Sequence, residues 1–449
     1  MNHAPETDMT KDAEGAADGG PNRQLSPGAR LRRDRNFNIF WAGQTFDALG
    51  DSAALILIPL MVLEITNSVA QMGLVTGVIG IGNLVSSLIS GVIVDRVDRR
   101  KVMILCDLGR TVFYLLIPVV VWMTGTSIWP ICIVAILTAY LTTFFFITYT
   151  TAVVNIVDKD QITEANGQLQ ATVALAYVAG PVLAGYASHQ LGAINSVVML
   201  AASYAMSALL MSFVRLRKAS AVQPEQDETK SASRFDSAIS GVRFILRHPV
   251  LKPVTLLFAL FLFVAAPTIN LTIYRLKHDL GQGDGTVGIV FGVASVGAIL
   301  AGALGAMLRN KIGFGFSFLG GTALIGAAII FIGLAPGVAT LAIFATVFSF
   351  GSTIRNINTM SLRQQVTPDH LLGRVSAAWW TMLTVLGPIG NAIGAALAEW
   401  TSVKLVFTIS GIVSIATAAI GLFTRANARS PEATISSAPL EAAEQPALQ

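Results

Sequence analysis

The sequence predicts an all-α membrane protein of about twelve transmembrane helices, arranged as two six-helix halves. Three observations predict it. The 449 residues are 53% hydrophobic and only 12% charged, where soluble chains carry about 25% charged residues. The charges fall in clusters, separated by apolar stretches long enough to cross a bilayer, which takes about 20 residues. The two halves also carry matching features. Val157-Asp158-Lys159-Asp160 precedes the fifth stretch as Val366-Thr367-Pro368-Asp369 precedes the eleventh, 209 residues on. Gly180-Pro181 matches Gly387-Pro388 at an offset of 207, and Gly91 ends the second stretch as Gly302 ends the eighth.

In chain order, residues 1–35 form a polar N-terminal tail, disordered by composition. The first half, 36–214, holds spans at 37–63, 72–94, 102–124, 128–154, 166–190 and 194–214. No small-residue cleavage site follows the first span, so it reads as a retained helix and not a secretory signal. The central loop is 215–250. From Arg234 to His248 its apolar residues recur at helical spacing, with Arg243 and Arg247 off that stripe. This fits a short helix on the membrane surface or a solvated linker helix. The second half, 251–424, holds spans at 251–274, 286–308, 314–335, 338–361, 374–398 and 402–423, and 425–449 is a second polar tail.

Basic residues orient the layout. With the N-terminus inside, the inner loops and span edges hold 23 Lys and Arg, against Arg275, Lys277 and Lys404 outside. Cytoplasmic loops carry such an excess, so both termini and the central loop are expected in the cytoplasm of a cell-membrane protein. The net charge of +4 reflects this topology, and no nucleic-acid partner is expected. Cys106 and Cys132 lie inside spans, which argues against a disulfide framework or zinc site. No nucleotide-binding loop or soluble catalytic constellation is present in the sequence. An enzyme, an ATP-driven pump and a cofactor are therefore not expected.

Two motifs stand out. The loop after the second span reads Gly91-Val92-Ile93-Val94-Asp95-Arg96-Val97-Asp98-Arg99-Arg100-Lys101. Gly91 permits close helix approach. Asp95 can accept from helix N-terminal amides or an arginine, while Arg96, Arg99 and Arg100 can pair with carboxylates at helix ends. Together with Asp98 they form a latch able to hold one conformation and release in another; the plain alternative is a basic topogenic loop. In the fifth span, Ala176-Tyr177-Val178-Ala179-Gly180-Pro181-Val182-Leu183-Ala184-Gly185 thins the helix, and Pro181 bends it. A generic packing seam would look the same.

The first motif resembles the signature loop of the major facilitator superfamily. The second resembles that superfamily's antiporter motif, with alanines at 176 and 184 where the motif has glycine. Phe40-Trp41-Ala42-Gly43-Gln44 with Gly50-Asp51, Gly241 to Pro249, and Pro368 to Val375 resemble the branch of macrolide-efflux and enterobactin-export carriers. The resemblance spans about 36–424. It implies a proton-coupled exporter of drugs, siderophores or related natural products, acting as a monomer with protons, a small-molecule substrate and the lipid bilayer as partners. The fourth span has no basic residue, unlike classical drug–proton antiporters. An uptake carrier for a nutrient, or a membrane sensor that has lost transport, are the competing readings.

Charges inside spans are the functional candidates, because a charge in the bilayer is costly. Asp47 sits roughly 15 Å into the first span, with Asp51 one turn on, on the same face. Arg110, roughly 12 Å into the third span, shares a face with Asp107. It packs either toward the latch or back to the first span. Asp47 is the first candidate for proton coupling, Asp51 and Arg110 the next; a structural ion pair is the alternative. The resemblance implies that the first, fourth, seventh and tenth spans line the cavity. That makes Asn270, Arg355, Asn358, Phe145 and Tyr149 candidates for the substrate pathway, with ordinary core packing as the plain reading of the aromatics.

Overall fold

The computed structural model describes residues 27–93, 97–125, 127–158, 161–215 and 234–430. Among them, twelve helices are long and apolar enough to cross a membrane. A short α1 (Pro27–Arg33) leads into α2 (Arg35–Thr66). Asp34 starts α2 by accepting from the amides of Asn36 (2.7 Å) and Phe37 (3.2 Å), which satisfies two of the donors every helix start leaves open. Asn67, at φ +52°, ends it. Then follow α3 (Val69–Ile93), α4 (Arg99–Thr124), α5 (Trp129–Ala152), α6 (Ile162–Leu191) and α7 (Ala193–Met211). Next come α8 (Arg234–Arg247), α9 (Leu251–Ala265), α10 (Thr268–Tyr274), α11 (Asp284–Ile312) and α12 (Phe314–Leu334). The last three are α13 (Val338–Val366), α14 (Asp369–Trp400) and α15 (Val403–Leu422).

Two features differ in kind from the sequence reading: residues 27–33, placed there in the disordered tail, form α1, and the seventh span is broken. The seventh span is not continuous: α9 stops at Ala265, and α10 restarts behind Pro267, whose ring and missing N–H interrupt the helical bonding. A wide π turn, Arg275–Asp279, finishes it. The eleventh apolar span begins at Arg374 as expected, while its helix starts earlier, at Asp369, with Pro368 immediately before its first residue, because proline restricts what precedes it and permits a helix to start after it.

Asn36 Nδ2 donates to the Arg215 carbonyl (2.8 Å), so α2 starts where α7 ends. That end of the bundle is the proximal end. At the distal end, Glu64 accepts from the Ala193 amide at the start of α7 (2.6 Å). Helix α2 packs on α6 and α7, α4 on α5 and α7, and α3 on α5. Later in the chain α12 packs on α13 and α15, α11 on α13, and α14 on α9. Two seams join these groups: α3 with α14, and α6 with α11.

Both seams are tied at the distal end. Glu399 accepts from Ser68 Oγ (2.6 Å) and the Ala70 amide (2.8 Å), capping α3 from α14. Asn270 Nδ2 donates to Thr76 Oγ1 (3.0 Å) and Asn391 Oδ1 (3.2 Å), and Asn391 Nδ2 to the Gly73 carbonyl (3.2 Å). On the other seam Ser188 Oγ donates to Asp284, which also pairs with Lys277. Gly185 and Gly288 meet backbone to backbone; a Cβ on either would lie under 3 Å from the other helix. Small residues of this kind let membrane helices approach closely.

Helix α8 docks on α14, with Gly241 against the Arg374 carbonyl. Ile245 is buried, while Arg243, Leu246 and Arg247 are exposed. Beyond it, His248 Nδ1 accepts from the amides of Val250 (3.2 Å) and Leu251 (3.0 Å). Only neutral imidazole has that lone pair, and burial pushes its pKa down to about 4 from an ordinary 6.5. The link is fully formed above about pH 6.5; below it the undocked state takes up the proton first. Amide exchange at Val250 and Leu251 is therefore expected to quicken as pH falls from 6.5 toward 4. Exchange with no pH dependence beyond the intrinsic rate, or equal behaviour in His248→Ala, would contradict this.

Candidate functional site

The i,i+4 spacing of α2 puts Asp47 and Asp51 on one face, and the i,i+3 spacing of α4 puts Asp107 beside Arg110. The two faces meet. Arg110 Nη2 contacts Asp47 Oδ1 at 2.5 Å and also pairs with Asp107, while Nη1 reaches Asp51 Oδ1 at 3.2 Å and Thr142 Oγ1 at 3.5 Å. The guanidinium lies between two rings, 4.1 Å from the Tyr204 centroid and 4.7 Å from that of Phe145. Tyr204 donates its hydroxyl to Asp51 Oδ1 (2.8 Å) and stacks on Tyr114. Gly50 makes room for this, since a Cβ there would meet the Tyr204 ring at 3.1 Å.

Three carboxyl groups thus share one guanidinium. Ionised together they leave two negative charges unbalanced, which a buried site does not sustain cheaply; one proton halves the excess and two remove it. Access is uneven. The Arg110 and Asp107 side chains have no exposure, Asp47 has 10% and Asp51 has 39%. Asp51 is the face through which the cluster meets its surroundings. Arg110 turns back to the first span, and Asp47 is one of three acids around it.

The latch positions divide. Asp95 and Arg96 lie outside the described residues, as does the side-chain environment of Gly91 in the last turn of α3. Asp98 caps α4, accepting from the Arg100 amide (3.0 Å). Arg100 donates through Nε to the Met211 carbonyl (3.2 Å) and through Nη2 to that of Ser212. Its partner is the end of α7 and not a carboxylate, because helix C-termini present unsatisfied carbonyls with partial negative charge. Arg99 is half-buried and has partners of its own.

In the fifth-span motif Gly180 lies against Ser52 and the Ala53 backbone of α2, and Gly185 against α11. Pro181 lies within α6, its carbonyl beside Gly288. The motif therefore sits where α6 touches two helices at once. Among the pathway candidates, Phe145 is enclosed beneath Arg110, and Tyr149 is half-buried and stacks on Phe40. Asn270 is buried in the distal tie. Asn358 is buried, its Nδ2 spent on the Ile354 carbonyl (2.8 Å). Arg355 is buried against Phe258 and Phe261. Between α2 and α6 lies an apolar recess of about 350 Å³, lined by Trp41, Phe46, Leu49 and Leu175 among others.

Sequence reasoning did not find Tyr204, Asn391 or Glu399. Tyr204 and Asn391 were detectable as polar groups inside apolar spans. Glu399, at a helix end, looks like any solvated acid until α3 is placed beside it.

Twelve apolar helices in two packed groups, joined by two seams and holding a buried charge cluster, define a polytopic membrane transporter. The family model for the Major Facilitator Superfamily matches residues 40–390 and 269–448, and the chain belongs to that superfamily. Among characterised relatives, it is 24% identical over 394 residues to the multidrug efflux pump Tap of Mycolicibacterium fortuitum, covering 86% of this chain and 94% of Tap. It is 23% identical over 347 residues to the enterobactin exporter EntS of Salmonella typhimurium, covering 76% of this chain and 80% of EntS. The fold is that of the nucleoside transporter NupG (D323A mutant; TM-score 0.72, 11% identity, 87% of this chain and 99% of that one). It is also that of a bacterial homologue of the iron transporter ferroportin in its inward-facing state (TM-score 0.66, 17% identity, 87% and 98%).

Proposed function

We propose that this transporter exports small molecules, of the drug or siderophore kind, in exchange for protons. The proximal end then faces the cytoplasm, as the basic residues of the loops favour. The observation that carries the reading is the acid cluster: more carboxyls than one guanidinium balances, with a single accessible member. In this reading Asp51 takes the proton, and Asp47 with Asp107 anchors Arg110. Protonation of Asp51 ends its charge pairing with Arg110 Nη1, so the tie between α2 and α4 differs between the loaded and empty carrier. Such a difference biases alternating access. The similarity to Tap and EntS supports the outward direction.

The test is transport in proteoliposomes with a panel of labelled macrolides and catecholate siderophores. A substrate driven out against its gradient by an imposed pH gradient is the expected result. Asp51→Asn is expected to keep downhill exchange and lose pH-driven accumulation, a loss of at least about tenfold. Asp47→Asn is expected to lower the amount of folded protein more than the coupling ratio. Full pH-driven transport by Asp51→Asn would remove it from the mechanism, and its loss in Asp47→Asn alone would move the role there.

A further inference from the structure

The second half of the molecule has the opposite charge problem from the first. Within 251–424 the sequence has four acidic residues, Asp279, Asp284, Asp369 and Glu399. All stand at helix ends: Asp279 closes the π turn, Asp284 opens α11, and Asp369 and Glu399 bound α14. Arg355 lies far from these ends, 17 residues into α13 and 11 from its last residue. That is about 25 Å from the distal end of the helix and about 16 Å from the proximal one. It is 4% exposed. Its guanidinium lies 3.6 Å from the centroid of Phe261 and 4.3 Å from that of Phe258. Among the described residues, neither its buried Nε nor its buried Nη1 has a hydrogen-bond partner, and one turn on Asn358 Oδ1 is in the same condition.

The guanidinium of Arg110, buried likewise, is met by three carboxyl groups. Among the described residues, Arg355 has the aromatic faces and no carboxylate in ion-pairing distance. Ring quadrupoles hold a cation in place, but they accept N–H groups only weakly, and buried donors left without a full partner are costly. A planar fork of donors matches a carboxylate or similar oxyanion. In the export reading, the side of α13 nearer the proximal end is the one a cytoplasmic solute would approach while the distal ties are closed.

We propose that Arg355 is the anchor for an oxyanion on the transported substrate, so that the carrier selects molecules bearing a carboxylate or equivalent anion over neutral and cationic ones. The inference rests on the export reading for its substrate and specifies that substrate's charge. Its test needs neither a gradient nor a direction. The purified full chain in detergent is titrated with 2-naphthoate, 2-naphthamide and 2-naphthylmethylammonium, read by thermal shift and by tryptophan fluorescence. The apolar ring suits apolar walls, and the three probes share it while differing in the polar group and its charge. Naphthoate is expected to bind at least about tenfold more tightly than the amide, a charge-assisted pair being the difference. Arg355→Gln is expected to erase that preference while the amide still binds, and Arg355→Lys to keep part of it. Equal binding of acid and amide to the native chain overturns the proposal, whatever the variants do. So does a preference that survives in Arg355→Gln. Failure of pH-driven efflux with binding preference intact would sink the export reading and leave this one standing.

Discussion

Arg110→Leu is expected to lose most folded protein. The substitution removes a side chain with no exposure and leaves Asp47, Asp51 and Asp107 facing one another. Removing one partner of a buried ion pair costs about 3–5 kcal/mol, because a charge remains without compensation, and here three carboxyls share the loss. A stability of about 5–15 kcal/mol does not absorb this easily. The rings of Phe145 and Tyr204 also lose the group between them. Yield of monodisperse protein and melting temperature in detergent measure the effect. Adding Asp47→Asn and Asp107→Asn to Arg110→Leu is expected to recover part of it, since neutral amides need no counter-charge. A melting temperature for Arg110→Leu within about 2 °C of the native chain, which for a chain this size is no more than about 2 kcal/mol and so less than a broken buried pair costs, would show that the cluster does not hold α2 to α4.

The spans were legible because bilayer thickness fixes their length, and the loops because charge cannot stay in lipid. The register between spans was not legible. Sequence spacing put Asp47 with Asp51 and Asp107 with Arg110, each pair being a turn apart. It gave two options for the far end of Arg110, because 63 residues and a tertiary seam separate it from Asp47. Arg100 illustrates the same limit. Its charge suggested a carboxylate partner, yet the carbonyls of Met211 and Ser212 answer it, and backbone partners leave no mark on composition. Pro267 was visible, but a proline in a membrane helix kinks or breaks it depending on neighbours, so the split of α9 from α10 required the packing.

Gly80→Leu is expected to abolish transport in a protein that still folds. Gly80 lies on α3 against α14, where a Cβ would fall 1.8 Å from Pro388 Cγ and 2.6 Å from its Cβ. A proline ring has no rotamer by which to move aside, so the two helices must separate. They are not forced apart in every state of a carrier: alternating access moves one bundle against the other around a fixed site, and this seam is one of two that join the groups. The substitution therefore penalises the distally closed arrangement and spares one in which α3 and α14 stand apart. Overpacking costs about 1–3 kcal/mol, enough to shift a two-state balance about 5- to 150-fold. The distal tie of Glu399 to Ser68 and Ala70 is expected to release with it. Cysteines introduced at Val69 and Ala398, both buried in the distally closed arrangement, measure the outcome, as their labelling by a membrane-impermeant maleimide reports distal opening. Faster labelling with near-normal yield and lost turnover is the expected result. Native labelling rates with full transport would mean that α3 and α14 accommodate leucine locally, and that this seam is not where the distal end closes.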